Sequence, residues 1–351
     1  GGIDKYIMNI LPYLSKNYKV TVLTNQKNEE LRNLLHEYGI QLQVVARLSN
    51  PVKQYHMIKK IVNEEKFEIA YLNTSTSFNL PFLMACKNKI PLRIIHSHSS
   101  GIDCRQHLKR KAMNVLQVLF KYITVSMANR YFACSKEAGY WMFPKKIVTN
   151  SNYYKFVPNM VDFTKFIFSY EKSAEMRKKL GLEGKKVVGH VSNFQPVKNV
   201  SFIIDIIKEL CEISDEYRLL LIGEGPEKER ILEKIKRENL GDKILVFPYQ
   251  SNVQEYYQVM DYFVLPSFFE GLALVGIEAQ VSKIYCIFSD AVTREIQVSN
   301  GCCFLPVSKG ASIWAKQIEM VNWDRKNWRA NQELTKFDLN NQDKMMKEIF
   351  Q

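Results

Sequence analysis

The sequence predicts an α/β protein built from two doubly wound domains that face each other across a cleft. Three observations carry that prediction. The 351 residues exceed the size at which a single core usually stops growing. Short β-branched runs alternate with amphipathic segments, the mark of parallel α/β units. The alternation also halts at a polar, turn-rich stretch near the middle and then starts again.

In the first half, YKVTVLT, IQLQVVA, FEIAYLN, LRIIHSH and RYFACS read as strands. Helical spacing runs through KQYHMIKKIVNEE and LKRKAMNVLQVLFKYITVSMANR between them. Turn-rich KFVPNMVDFTKF leads into SYEKSAEMRKKLGLEGK, whose polarity reads as the boundary between domains. The second half brings strands KVVGHVS, YRLLLIGE, KILVFPY, YFVLPS and KIYCIFS, with helices NVSFIIDIIKELCEI, EKERILEKIKREN and ALVGIEAQVS. A glycine pair that opens a helix normally follows a first central strand. The sequence therefore predicts an N-terminal sheet without its first strand. In open sheets of this kind ligands bind beyond the carboxyl ends of the strands.

Composition narrows the class. Apolar residues at 46% and charged ones at 24% are ordinary for a globular protein. No apolar run is long enough to cross a bilayer as a helix, and no secretory leader is read at the start. The seven cysteines are scattered, odd in number and lack metal-ligand spacing, which suits a reducing cytosol. Charge is uneven. Residues 1–170 hold 24 Lys and Arg against 10 Asp and Glu, whereas 171–351 hold 25 against 26, so the excess of +13 belongs to the first half. Nothing beyond charge speaks for nucleic acid, and lipid phosphate is the better match.

The stretch FFEGLALVGIEAQ sets Glu270 and Glu278 in apolar surroundings, with Gly271 directly after the first. On one helix the pair would stand about 12 Å apart along the axis, too far to grip one atom. The useful geometry puts Glu270 in a loop and Glu278 inside the helix that follows. Gly271 then admits a ligand close to the backbone, and first-turn amides can hold a phosphate. The plain alternative makes Glu270 a cap and Glu278 a partly exposed helical residue. GHVSNFQPVKNVSF sets Lys198 on a loop before a helix, suited to a diphosphate, although a lone lysine is usually just a surface residue. LLLIGEGPEKERI has G-x-G without a third glycine at the required step, so it reads as a tight turn rather than a dinucleotide fingerprint.

In GGIDKYIMNI, IIHSHSS, YFACSKEAG, FVPNMVDFTKF, VVGHVSNFQPVKN, LLLIGEGPE, LPSFFEGLALVGIEAQ and SDAVTREI the chain resembles glycosyltransferase family 4, of the GT-B fold, in its capsular and exopolysaccharide branch. The resemblance covers nearly the whole chain. It implies retaining transfer of a sugar from a nucleotide diphosphate-sugar, usually UDP-linked, with no cofactor and no metal; no D-x-D motif is present. It makes Glu278 the ligand of the donor ribose and Glu270 a contact for sugar hydroxyls near the reacting carbon. The amides of Gly271, Leu272, Ala273 and Leu274 would meet sugar and phosphates, and Lys198 would neutralise the diphosphate. Gly2, in the loop before the first helix, would lie near the phosphates. His98 would face the acceptor across the cleft, with His96 its substitute. Thr293, Arg294 and Glu295 match a family segment without an assigned role.

One departure stands out: Asn193 occupies the position where the family usually has an arginine beside the diphosphate. Asparagine has neither the fork nor the permanent charge. This motivates the rival expectation of a slow or non-catalytic, glycosyltransferase-like subunit. Met160, where the family often has glycine, is a smaller departure.

The expected layout is an acceptor domain over 1–168, a donor domain over 169–325, and a final segment, 326–351, that crosses back to the first domain. The basic run from Arg105 to Lys111, ahead of NVLQVLFKYITVSMA, could rest on an anionic membrane surface and meet a lipid-linked glycan acceptor. A helix packed on its own sheet is the competing reading. The expected location is cytoplasmic, peripheral at the inner face of the membrane.

Overall fold

The strand and helix patterns assemble into two units in a computed structural model that describes residues 2–102 and 107–350. Unit 1 holds residues 2–102, 107–160 and 340–350, and unit 2 holds 161–339. Arg105 and Gln106 of the basic run lie outside the described residues.

Unit 1 runs α1 (Gly2–Asn17), β1 (Thr21–Thr24), α2 (Glu29–Glu37), β2 (Gln41–Val44), α3 (Pro51–Glu64), β3 (Ile69–Thr74), α4 (Leu80–Cys86) and β4 (Leu92–Ser97). It continues through α5 (His107–Met127), β5 (Arg130–Ala133), α6 (Lys136–Met142), α7 (Lys145–Asn150) and β6 (Tyr154–Phe156). Every ladder is parallel, but the strands form two sheets, β1-β2 and β3-β4-β5-β6. Between β1 and β3 lies a cavity of about 870 Å³ walled by Val22, Leu23, Val45, Ile69 and Tyr71. Gly2, expected in a loop, is instead the first residue of α1. Tyr6, Ile10 and Tyr13 recur at helical spacing on α1 and pack with Ile94, Phe132 and Val157.

Unit 2 runs α8 (Tyr170–Leu180), β7 (Lys186–Val191), α9 (Val200–Ile213), β8 (Tyr217–Ile222), α10 (Lys228–Arg237), β9 (Ile244–Phe247) and α11 (Val253–Tyr257). Then come β10 (Tyr262–Leu265), α12 (Leu274–Val281), β11 (Tyr285–Ser289), β12 (Cys302–Leu305) and α13 (Ala311–Met320). Its six strands form one parallel sheet in the order β12-β11-β10-β7-β8-β9. That is the doubly wound order, in which the direction of winding reverses between β7 and β10. Ile203, Ile207 and Leu210 of α9 pack with Trp314 and Ile318 of α13 over one face of the sheet.

The polar stretch read as a boundary folds as α8. Ser169 caps it by accepting from the Lys172 amide, and Gly181 closes it with φ +65°, where a side chain would be strained. Arg177 of α8 donates to both oxygens of Asp261 at 2.8 Å, which ties the helix into unit 2. Upstream of it, Val161 already bridges Asp338 and the Phe166 carbonyl accepts from Ser282. At the far end, α14 (Gln342–Phe350) packs Met346 and Ile349 into the unit 1 core, and Gln342 donates to the Asn9 carbonyl.

Candidate active site at the strand switch of unit 2

The ladder between β7 and β10 stops at Phe263 opposite Gly189, so the two strands diverge toward their carboxyl ends. His190 fills the split. Its Nδ1–H donates to the Val264 carbonyl at 2.8 Å, and its Nε2 accepts from the Ser192 hydroxyl at 2.7 Å. This tautomer is neutral, and burial, aided by the nearby Lys198 charge, pushes the imidazole down to about 4.

Two glycines set the loop after β7. Gly223 (φ +152°) and Gly225 (φ +156°) follow β8, and a Cβ on either would stand 1.8 Å from the Ser192 carbonyl or 2.8 Å from the Phe194 backbone. Glycine at both lets the loops lie backbone to backbone, with the Phe194 amide donating to the Glu224 carbonyl at 2.8 Å. The G-x-G pair is thus a packing device between neighbouring loops. Phe194 is buried, while Asn193 beside it is exposed.

The loops after β7 and β10 are joined directly. The Phe268 amide donates to the Val197 carbonyl at 2.9 Å, and Lys198 Nζ donates to Glu270 Oε1 at 2.5 Å. Ser267 Oγ donates to the same carboxylate oxygen at 2.7 Å, and Ser289, at the end of β11, donates to the Ser267 carbonyl. Side-chain exposures of 15% for Lys198 and 10% for Glu270 make this a largely buried pair. Lys198 sits at the end of a single 3₁₀ turn, Pro196–Lys198, and Asn199 in left-handed geometry (φ +53°) redirects the chain into α9.

From Glu270 the chain enters α12. Its N-cap is Ala273, which makes no side-chain cap hydrogen bond to the helix's positive end. Gly271, Leu272, Ala273 and Leu274 are buried around that end. The Leu274 amide donates to the Leu272 carbonyl at 3.1 Å and is engaged within the turn. Glu278 lies one turn further in and is only 2% exposed, which corrects the alternative reading of a partly exposed helical residue. The Tyr257 hydroxyl stands 3.1 Å from its Oε2 and 3.2 Å from the Val275 carbonyl. Burial, and then the neighbouring Glu278 charge, hold the Tyr257 phenol well above its usual range, so it remains a donor.

Unit 2 therefore joins Lys198 to Glu270 at its strand switch, with Glu278 in the helix that follows. Gly2 and His98 belong to unit 1. His98 donates from Nε2 to Asn73 Oδ1 at 2.9 Å, and burial pushes it down to about 3. Its Nδ1 is buried with no hydrogen-bond partner among the described residues. His96 is committed elsewhere: Nε2–H donates to the Val157 carbonyl at 2.9 Å, and Nδ1 accepts from the Tyr71 hydroxyl at 2.7 Å. Arg294 stacks its guanidinium 3.7 Å over Phe304, and Thr293 caps the short turn at Glu295. Sequence reasoning missed His190, Tyr257, Ser267 and Ser289. His190, Ser267 and Ser289 lie inside quoted motifs and could have been found there, whereas Tyr257 lies in none. Among the described residues no cluster of three His, Cys, Asp or Glu side chains is arranged to hold a metal ion.

Residues 172–330, nearly all of unit 2, match the family described as glycosyl transferases group 1. The chain is 27% identical over 330 residues to the protein named glycosyltransferase EpsF of Bacillus subtilis, covering 91% of this chain and 84% of that one. It is 23% identical to the capsular polysaccharide biosynthesis glycosyltransferase CapH of Staphylococcus aureus, covering 100% and 95%. Among solved structures, Anabaena HepE in complex with UDP superposes with a TM-score of 0.77 at 16% identity, covering 99% and 95%. Sucrose-phosphate synthase of Thermosynechococcus elongatus gives 0.78 at 16%, covering 100% and 93%. The second unit thus carries the pattern of the glycosyl transferases group 1 family, and the whole chain has the GT-B fold of these structures. The relative matched over its whole length, CapH, is named for capsular polysaccharide biosynthesis.

Proposed function

We propose that this chain moves a sugar from a nucleotide diphosphate-sugar, a UDP-sugar, onto a lipid-linked glycan during capsule or exopolysaccharide synthesis. The transfer retains configuration and uses no metal ion. The reaction takes place at the cytoplasmic face of the membrane, to which the protein is peripherally bound. The observation that carries this reading is the buried Lys198–Glu270 pair at the strand switch, beside a helix end without a side-chain cap. A cation and a helix N-terminus at the carboxyl edge of a doubly wound sheet suit a diphosphate. Two comparisons support the choice of ligands. HepE is described with UDP and with UDP-glucose, and a relative in Escherichia coli is named for transfer from UDP-Gal to a GlcNAc-diphosphoundecaprenol.

In this reading Glu278 accepts hydrogen bonds from the ribose diol, with Tyr257 holding its second oxygen. The amides of Gly271, Leu272 and Ala273 meet the sugar and phosphates. An ammonium has three N–H donors, so Lys198 can keep one on Glu270 and turn another to a phosphate oxygen. As the bond between the anomeric carbon and the diphosphate breaks, charge collects on that oxygen. Lys198 stabilises it by an amount on the order of 3 kcal/mol. Asn193 adds no charge, so Lys198 carries this part of the work. Glu270 accepts from sugar hydroxyls near the reacting carbon, and His98 faces the acceptor.

The test is calorimetric titration with UDP. Wild type binds, and Glu278→Gln loses about tenfold to a hundredfold in affinity, the worth of a hydrogen bond to a charged group. Equal affinity in the two proteins overturns the donor-site assignment.

A further inference from the structure

Helix α5 is turned inside out. Its buried positions are polar: Gln117 and Thr124 are each 1% exposed. Gln117 Oε1 accepts from both the amide and the hydroxyl of Ser77 at 2.9 Å, and Thr124 donates to the Ser77 carbonyl at 2.9 Å. At 100° per residue the opposite face carries Leu108, Val115, Leu119 and Tyr122, flanked by Val118 and Ile123. All six are exposed, Leu108 at 82% and Val115, Leu119 and Tyr122 at 60% or more. An apolar stripe of that size is stable in water only if something covers it.

Charge says what covers it. The helix contains Lys109, Arg110, Lys111 and Lys121 and no acidic residue, and the first three are exposed at its N-terminal end. A second copy of the chain would bring the same positive charge to the same place. An anionic bilayer answers both features, with acyl chains for the stripe and phosphates for the basic first turn. Tyr122 suits the interface, with an apolar ring and a polar tip. Among the described residues no helix is long and apolar enough to cross a membrane.

We infer that α5 is the membrane-seating element of this protein, its Leu108–Ile123 stripe immersed in the headgroup boundary of an anionic leaflet. This deepens the proposed function and rests on it for the lipid-linked acceptor, which would lie in the same leaflet.

The experiment is co-sedimentation of the whole protein with vesicles of phosphatidylcholine, with and without phosphatidylglycerol. Wild type sediments with the anionic vesicles only. Replacing Lys109, Arg110 and Lys111 together by glutamine weakens this on the order of 100-fold, since each basic residue near an anionic surface is worth several-fold. Val115→Gln, Leu119→Gln and Tyr122→Gln combined weakens it more than tenfold while keeping helix propensity. Thermal stabilisation by UDP, read on the same samples, stays at the wild-type level in both variants. It reports on fold and donor site separately, so loss of vesicle binding with UDP stabilisation intact supports the inference. Sedimentation of the apolar variant at the wild-type level overturns it. So does a wild type that ignores vesicles, including one that elutes as a dimer the apolar variant dissolves.

Discussion

Lys198 and Glu270 stand 72 positions apart in the chain and meet at 2.5 Å. Each limits the cost of burying the other, because a buried charge without its partner is expensive. Either single truncation, Lys198→Ala or Glu270→Ala, should lower unfolding stability by about 3 kcal/mol, and the double variant by less than the two together. Urea unfolding of the four proteins measures this cycle; strict additivity would mean the pair is not coupled. UDP titration of the same set separates the roles, since Lys198→Ala should lose affinity beyond its stability effect. No sequence rule announces the pairing. Motif reading selects both residues as ligand contacts, and only the fold shows that they are first contacts of each other.

The elements differ in how openly the sequence declares them. The five β-branched runs of unit 2 are legible because parallel strands buried on both faces read as continuous apolar segments. β12 is not, since Cys302 and Cys303 open it, and β6 spans only Tyr154–Phe156. α8 is hidden by its charge, and its signature lies in the Ser169 cap and Gly181 rather than in an apolar stripe. α5 is legible as a helix, yet its orientation is not, because Gln117 and Thr124 point inward to satisfy the Ser77 backbone. Of the candidate site, the glutamates and Lys198 are legible from spacing, while Tyr257 sits in an unremarkable NVQEYYQVM. The loop glycines permit a test at this scale. Gly225→Ala would drive a Cβ to 2.8 Å from the Phe194 backbone, displacing the loop that carries Lys198. UDP affinity should fall several-fold and stability by about 1–3 kcal/mol, although Gly225 itself contacts no proposed ligand. Wild-type behaviour in both measurements would refute the packing role.

Across the whole molecule, both units keep buried histidines neutral. Burial lowers His96 and His98 in unit 1 and His190 in unit 2, the last from 6.5 to about 4. The folded protein therefore refuses protons that the unfolded chain accepts below pH 6.5. The sign follows: stability is full above that pH and is lost as pH falls from 6.5 toward 4. His190 alone contributes about 1 kcal/mol for each pH unit in that window. Urea midpoints at pH 7 and pH 5 measure the loss, and His190→Gln should flatten it in unit 2. The two-unit organisation is legible from the restart of the strand pattern. Every ladder in both units is parallel, so neighbouring strands are joined only through crossovers. Pairing must wait until segments distant along the chain have met, which makes this a fold that closes slowly rather than one led by hairpins.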